Sequence, residues 1–231
     1  MVKLPSLEEM LKAGMHFGHR THHWHPKMKP YIFTAKNGIY VIDLEKSRQM
    51  LEEALNFMSQ LVREGKSILF VGTKSQVKAP MKKMAEMIGQ PYIVGKWLGG
   101  YLTNFAVVKK SVKKYQDLIE KRDAGKLEKY TKKERLNFDR EIKRLAERVG
   151  GLTSLNKMPD AIFVWDIKEE ETAVAEARKR RIPVIAICDT NVNPELVNYP
   201  IPANDDATKT VKLILEVIQS AIIEAKKDLK N

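Results

Sequence analysis

All five histidines of the chain fall within ten residues, at His16, His19, His22, His23 and His25. Arg20 and Trp24 stand among them, and Lys27 and Lys29 follow. Two chemistries suit this cluster. Imidazole, indole and cationic groups set close together can stack on bases and contact phosphates, as proteins do with unpaired RNA. Alternatively, His16 and His19 offer two nitrogens to a metal. A zinc site needs further ligands, and Asp189 and Asp205 are the candidates to complete an oxygen and nitrogen set. On that reading a structural zinc is the candidate cofactor. The plainer alternative is that the histidines make hydrogen bonds within an irregular loop. The single cysteine, Cys188, lies in an apolar run and reads as a buried packing residue.

Three other segments could carry chemistry. Val71-Gly72-Thr73-Lys74 follows an apolar run and precedes a helical pattern, so its backbone N–H groups could receive an anion. It lacks the longer glycine-spaced loop of a Walker motif. Trp97-Leu98-Gly99-Gly100-Tyr101-Leu102-Thr103-Asn104 has paired glycines suited to a sharp bend, with Asn104 placed to cap the helix that follows. Asp189-Thr190-Asn191 and Asn204-Asp205-Asp206 are expected at the carboxyl edge of a sheet. There they read as turn formers and caps more readily than as catalysts, because no histidine or nucleophile is spaced to complete a catalytic set.

The elements that must position these residues show in the periodicity. Ser6 with Glu9 is a capping box opening a short helix over 6–13, and 14–30 read as irregular. Tyr31 to Asp43 reads as two short strands about Asn37-Gly38. Asp43 then caps a helix running to Glu64. Continuous apolar runs end at Gly72, Asp166 and Asp189, with a short strand near 92–94 and helices over 75–88, 169–180 and 206–227. Runs buried on both faces and alternating with helices predict an α/β domain: a flavodoxin-like or Rossmann-like parallel sheet flanked by helices.

Residues 104–150 differ. Phe105, Val108, Val112, Tyr115 and Ile119 form one narrow stripe, and Phe138, Ile142, Leu145 and Val149 another. Such stripes predict a protruding antiparallel coiled-coil helical hairpin. It is inserted between the two parts of the globular domain, 1–103 and 151–231. Asp123-Ala124-Gly125 ends the outgoing helix, and Thr131 with Glu134 caps the returning one. Over 109–148 the hairpin carries fifteen basic against eight acidic residues, more than half of the whole chain's net charge of +12.

That charge favours a polyanionic partner, nucleic acid before an anionic membrane surface. The 43% hydrophobic content excludes wholesale disorder. No apolar run approaches a membrane span, and the N-terminus lacks the apolar stretch of a signal peptide. The expectation is a soluble, intracellular protein.

Taken in order, Ala13-Gly14-Met15-His16-Phe17-Gly18-His19, Pro26-Lys27-Met28, Asn37-Gly38-Ile39-Tyr40-Val41-Ile42-Asp43-Leu44, Trp97-Leu98-Gly99-Gly100 and Asp189-Thr190-Asn191 resemble one family. It is that of the second small-subunit ribosomal protein of bacteria, and the likeness runs through Asn204-Asp205-Asp206-Ala207 and spans essentially the whole chain. His25, Asn193 and Asn198 depart from it, standing where the family usually has Asn, Asp and Asp, as do Lys36 for Arg and Ala203 for Gly. The resemblance implies a ribosome-bound cytoplasmic protein without enzymatic activity. It further implies contacts with small-subunit (16S) rRNA and with other small-subunit proteins, including the large protein built of OB-fold repeats, but not with DNA or membrane. Arg20, Trp24, Lys27, Lys29, Lys109, Lys110, Lys113 and Arg144 are then the expected RNA contacts. The competing expectation is a metal-dependent hydrolase on the same scaffold, using His16, His19, Asp189 and Asp205.

Overall fold

The computed structural model describes residues 4–228. Helix α1 (Leu7–Lys12) starts at Ser6 with both halves of the capping box formed. Residues 14–30 are more regular than expected. They contain strand β1 (Phe17–Arg20) and a 3-10 turn over Pro26–Tyr31. The strand is four residues long and buries none of them fully, so it carries no apolar alternation to read. It pairs antiparallel with β3 (Ile39–Ile42), which pairs with β2 (Ile32–Lys36), giving a small sheet of order β1-β3-β2. Asn37 and Gly38 join β2 to β3 at φ 53° and 74°, the backbone that a two-residue hairpin turn requires. Asp43 caps helix α2 (Leu44–Arg63) through the backbone N–H groups of Glu45 and Lys46.

The main sheet has five parallel strands, β4 (Ile68–Val71), β5 (Tyr92–Ile93), β6 (Ala161–Trp165), β7 (Val184–Cys188) and β8 (Tyr199–Pro202), in the order β5-β4-β6-β7-β8. Strand β8 was not foreseen. Pro200 and Pro202 argue against a strand in sequence, yet β8 lies at the edge and bonds to β7 alone, where proline is tolerated.

Alternation along each buried strand divides the core in two. Ile68, Phe70, Phe163, Trp165, Ile185 and Ile187 pack with α2, with α3 (Ser75–Ile88) and with α7 (Thr208–Asp228). Leu69, Val71, Ile162, Val164, Val184, Ala186 and Cys188 face the other side, against α6 (Glu171–Lys179). Each fully buried large side chain there contributes about 1.5–3 kcal/mol. The predicted α/β sheet flanked by helices is therefore the observed one.

Helix α4 (Phe105–Asp123) runs out and α5 (Lys132–Val149) runs back beside it. Lys114 meets Glu141 across the pair at 2.9 Å, and Tyr130 packs edge-on against Phe138. Val108, Val112, Leu118, Ile142, Leu145 and Val149 form the buried seam, and it merges with the second half of the core. The Thr131–Glu134 capping box is complete, and Gly125 ends α4 at φ 67°. Asn104 holds the N-cap position of α4, but its side chain makes no capping bond.

Candidate functional site

The carboxyl edge of the parallel sheet, where α/β proteins usually bind ligands, is occupied by the protein's own charges. Lys74, just past β4, sends its ammonium into a nest of carboxylates. It lies 2.9 Å from Asp166 Oδ2, 3.0 Å from Asp205 Oδ1 and 2.8 Å from Asp206 Oδ1. Asp166 follows β6 at φ 74°, a backbone that few residues other than glycine adopt, and its other oxygen accepts the Lys168 N–H. Asp205 is wholly buried, and the Trp165 indole donates to its backbone carbonyl at 2.9 Å. Burial first, then the neighbouring Asp166 and Asp189, push the Asp205 carboxyl well above the usual range, against the pull of Lys74. Burial works against the Lys74 ammonium, but Asp206, Asp205 and Asp166 outweigh it and raise its pKa. The expected anion loop is satisfied internally, since the Thr73 N–H donates to Glu170 Oε1 at 2.8 Å. Asn204, rather than either aspartate, makes the turn, accepting from the Asp206 and Ala207 N–H groups.

The histidine segment is fastened to this edge. The His19 ring meets Asp189 at 3.1 Å through Nδ1 and the Asn191 side chain at 3.2 Å through Nε2. Its hydrogen bond to Asp189 raises its pKa although burial opposes it. The His19 N–H donates to Thr190 Oγ1 and the His25 N–H to the Thr190 carbonyl, both at 2.8 Å. Gly18 lets the backbones close, because a Cβ there would stand 2.5 Å from the Thr190 methyl. His16 lies elsewhere, over Phe17 at 4.0 Å with Nδ1 buried and unpartnered, and burial lowers its pKa. The proposed quartet is thus not assembled as a ligand set. His19 and Asp189 are paired, Asp205 is committed to Lys74, and His16 stands apart. Among the described residues no three His, Cys, Asp or Glu side chains are grouped to hold a metal. The physical reason is that each carboxylate already faces a partner of its own, Lys74 for Asp205 and the His19 ring for Asp189. Cys188 is buried, and burial pushes its thiol up, away from the thiolate a metal takes.

Of the expected RNA contacts, Lys109, Lys110 and Lys113 come together in one cleft of about 540 Å³ between α4 and residues 153–156, with Asp117 and Glu120 on its wall. Arg20 and Lys29 are exposed at the N-terminal segment. Trp24 is half-buried against Tyr40, rings 5.1 Å apart, which leaves part of the indole for a partner. Lys27 and Arg144 are engaged within the chain, with Glu195 at 2.9 Å and Glu141 at 2.6 Å. Both pairs are solvent-exposed and so worth little, about 0–1 kcal/mol.

Sequence reading missed the anchor of the loop that leads into α4. Glu176, on the buried face of α6, accepts five hydrogen bonds. Its donors are the Trp97 indole, the backbone N–H groups of Gly100, Leu102 and Thr103, and the Thr103 hydroxyl, at 2.7–3.1 Å. One turn on, Arg180 donates to the Leu102 and Thr103 carbonyls. The signal was there. Ala173, Glu176, Ala177 and Arg180 recur at the spacing of one helix face, so two charged residues sit on an apolar stripe. Gly151 completes the seat of the hairpin, passing so near β5 that a Cβ would lie 2.3 Å from the Tyr92 carbonyl.

The architecture is thus a parallel-sheet domain whose carboxyl edge is filled by internal ion pairs, with a basic helical hairpin seated on Glu176, Arg180 and Gly151. Comparison with known proteins gives its family. The family model described as Ribosomal protein S2 matches residues 10–225. The chain is 46% identical over 221 residues to the small ribosomal subunit protein uS2 of Coprothermobacter proteolyticus, covering 96% of this chain and 82% of that one. It is 48% identical over 228 residues to the protein of the same name from Fusobacterium nucleatum, covering 98% and 92%. The chain belongs to the ribosomal protein S2 family. It is a structural ribosomal protein and not an enzyme, which overturns the hydrolase alternative. No helix among the described residues is long and apolar enough to cross a membrane.

Proposed function

We propose that the protein is built into the small subunit of the cytoplasmic ribosome, where it binds 16S rRNA and helps to seat neighbouring proteins, the large OB-fold-repeat protein among them. In this reading residues 104–150 act as a coiled-coil arm on the globular body. Lys109, Lys110 and Lys113 neutralise phosphates from the cleft at the base of α4, releasing counterions. Arg20, Lys29 and the free face of Trp24 add contacts from the N-terminal segment, and Lys27 and Arg144 exchange their internal partners for phosphate. The observation that carries the reading is the gathering of three lysines into one concave surface of a ribosomal protein family member, where they outnumber Asp117 and Glu120. This reading assigns no role to a zinc at His16, His19, Asp189 and Asp205, since Asp205 faces Lys74 and Asp189 faces His19.

The test is sedimentation of a lysate through sucrose at low and high salt. Co-migration with the small subunit and release by salt is the expected result. A protein that stays at the top of the gradient in both conditions refutes the proposal.

A further inference from the structure

A second basic cleft, sharing no residue with the first, lies between α3, β5 with the loop after it, and the base of α5. Its volume is about 610 Å³. Lys78 and Lys82 line it from α3, one turn apart on the same helix face, Lys96 from the loop and Arg148 from α5. Glu147 is the one acidic side chain on its wall. Lys82 reaches Glu86 only at 3.9 Å, and that carboxylate already accepts from the Tyr92 hydroxyl at 2.7 Å. Lys78, Lys96 and Arg148 make no ion pair among the described residues. The walls do not depend on these side chains. Gly95 abuts the Glu147 carbonyl so closely that a Cβ would lie 2.7 Å from it, Gly151 does the same to β5, and the Tyr101 hydroxyl donates to the Arg148 carbonyl at 2.8 Å.

Three elements therefore hold four cations around a concave space whose shape is set by backbone packing. Like charges facing one cleft repel, and a concave low-dielectric wall concentrates their field. A polyanion relieves both. The four cations come from three walls, Lys78 and Lys82 one turn apart on α3, an arrangement suited to the successive charges of a sugar–phosphate backbone. We infer that this cleft is a second RNA-backbone site, in which Lys78, Lys82, Lys96 and Arg148 contact phosphates without reading sequence. The inference rests on the rRNA-binding reading above and gives it a second locus.

The test compares three full-length proteins for binding to naked 16S rRNA across a salt series. They are the parent, a cleft variant carrying Lys78→Gln, Lys82→Gln, Lys96→Gln and Arg148→Gln, and a variant of the first cleft carrying Lys109→Gln and Lys110→Gln, which is expected to weaken binding as well. All six positions are exposed, and circular dichroism checks that each protein is folded. The cleft variant is expected to bind at least about tenfold more weakly at moderate salt, with the slope of log affinity against log salt shallower by about 3, since each of the four lost phosphate contacts removes about 0.7–0.9. The lysines of the cleft should also be shielded from acetylation by rRNA. If the parent binds and the cleft variant matches it within twofold, the inference is overturned while the general reading stands. If polyglutamate shields the lysines and rRNA does not, the cleft is a site for acidic protein and the inference is overturned. If the parent itself does not bind rRNA, both fall.

Discussion

Replacing Glu176 by Gln is a sharp test of how the hairpin is held. The two carboxylate oxygens divide the five donors, the Trp97 indole and Gly100 N–H on one, and the Leu102 N–H, Thr103 N–H and Thr103 hydroxyl on the other. A carboxamide keeps one oxygen and turns an NH2 group toward the remaining donors. Whichever way it flips, at least two donors lose their acceptor and face another donor. An unsatisfied buried donor costs about 1–3 kcal/mol, and bonds within one network are not additive. The expected loss is about 3 kcal/mol, which for a chain of this length lowers Tm by about 6–12 °C. Urea and thermal melts measure the loss, and hydrogen exchange locates it, with Gly100, Leu102 and Thr103 losing protection before the parallel strands do. The pH dependence supplies a separate check. Burial opposes ionisation of Glu176, but its donors outweigh burial and hold the carboxyl below the ordinary glutamate range. A depressed carboxyl contributes stability above its unfolded pKa and loses it as pH falls through the folded one, so the variant should lack this part of the acid destabilisation. A variant within about 0.5 kcal/mol of the parent, with those three amides unchanged, would refute the reasoning.

Lys74→Met should cost about 3–5 kcal/mol, because it strands buried carboxylates. The deficit in denaturant melts should shrink as pH falls and those groups take up protons, and a constant deficit would contradict the account. The raised pKa of His19 means that its pairing with Asp189 contributes most below the ordinary histidine pKa and is lost as pH rises through the folded value. In the parent, but not in His19→Gln, exchange of the β1 amides should quicken beyond the intrinsic chemical rate as pH rises past the ordinary histidine range, by an amount corresponding to about 1 kcal/mol for this partly exposed pair. Gly151→Ala must push α5 or β5 aside and should cost about 1–3 kcal/mol in melts. Gly99→Ala, with nothing within 4 Å of the new methyl, should be silent.

What could be read from the sequence, and what could not, follows from the range of the signal. The β4, β6 and β7 runs, α2 with its Asp43 cap, and both ends of the hairpin are written in neighbouring residues and were legible. Strand β1 was not, because four half-exposed residues become a strand only when β3 bonds to them. Strand β8 was hidden by prolines that are harmless only at an edge. The same limit governs the site. Asp189 and Asp205 were recognised as belonging to the carboxyl edge, but their true partners lie far off in sequence, at His19 and Lys74. Where the chain departs from the family pattern at His25, Asn193 and Asn198, each side chain serves as a hydrogen-bond acceptor. The His25 ring accepts the Lys27 N–H, and the two asparagine side chains accept the N–H groups of Glu195 and Val184. At each position an uncharged acceptor atom makes the bond.

The two edges of the main sheet are closed in different ways. At β8, Pro200 and Pro202 have no N–H to offer a further strand. At β5 the strand is two residues long, and Gly151 lies against its Tyr92 carbonyl. Exposed strand edges are templates on which one chain recruits another, and such recruitment is a route to aggregation. A ribosomal protein made before its RNA is ready must wait free in solution, and this sheet gives a second copy no edge on which to grow.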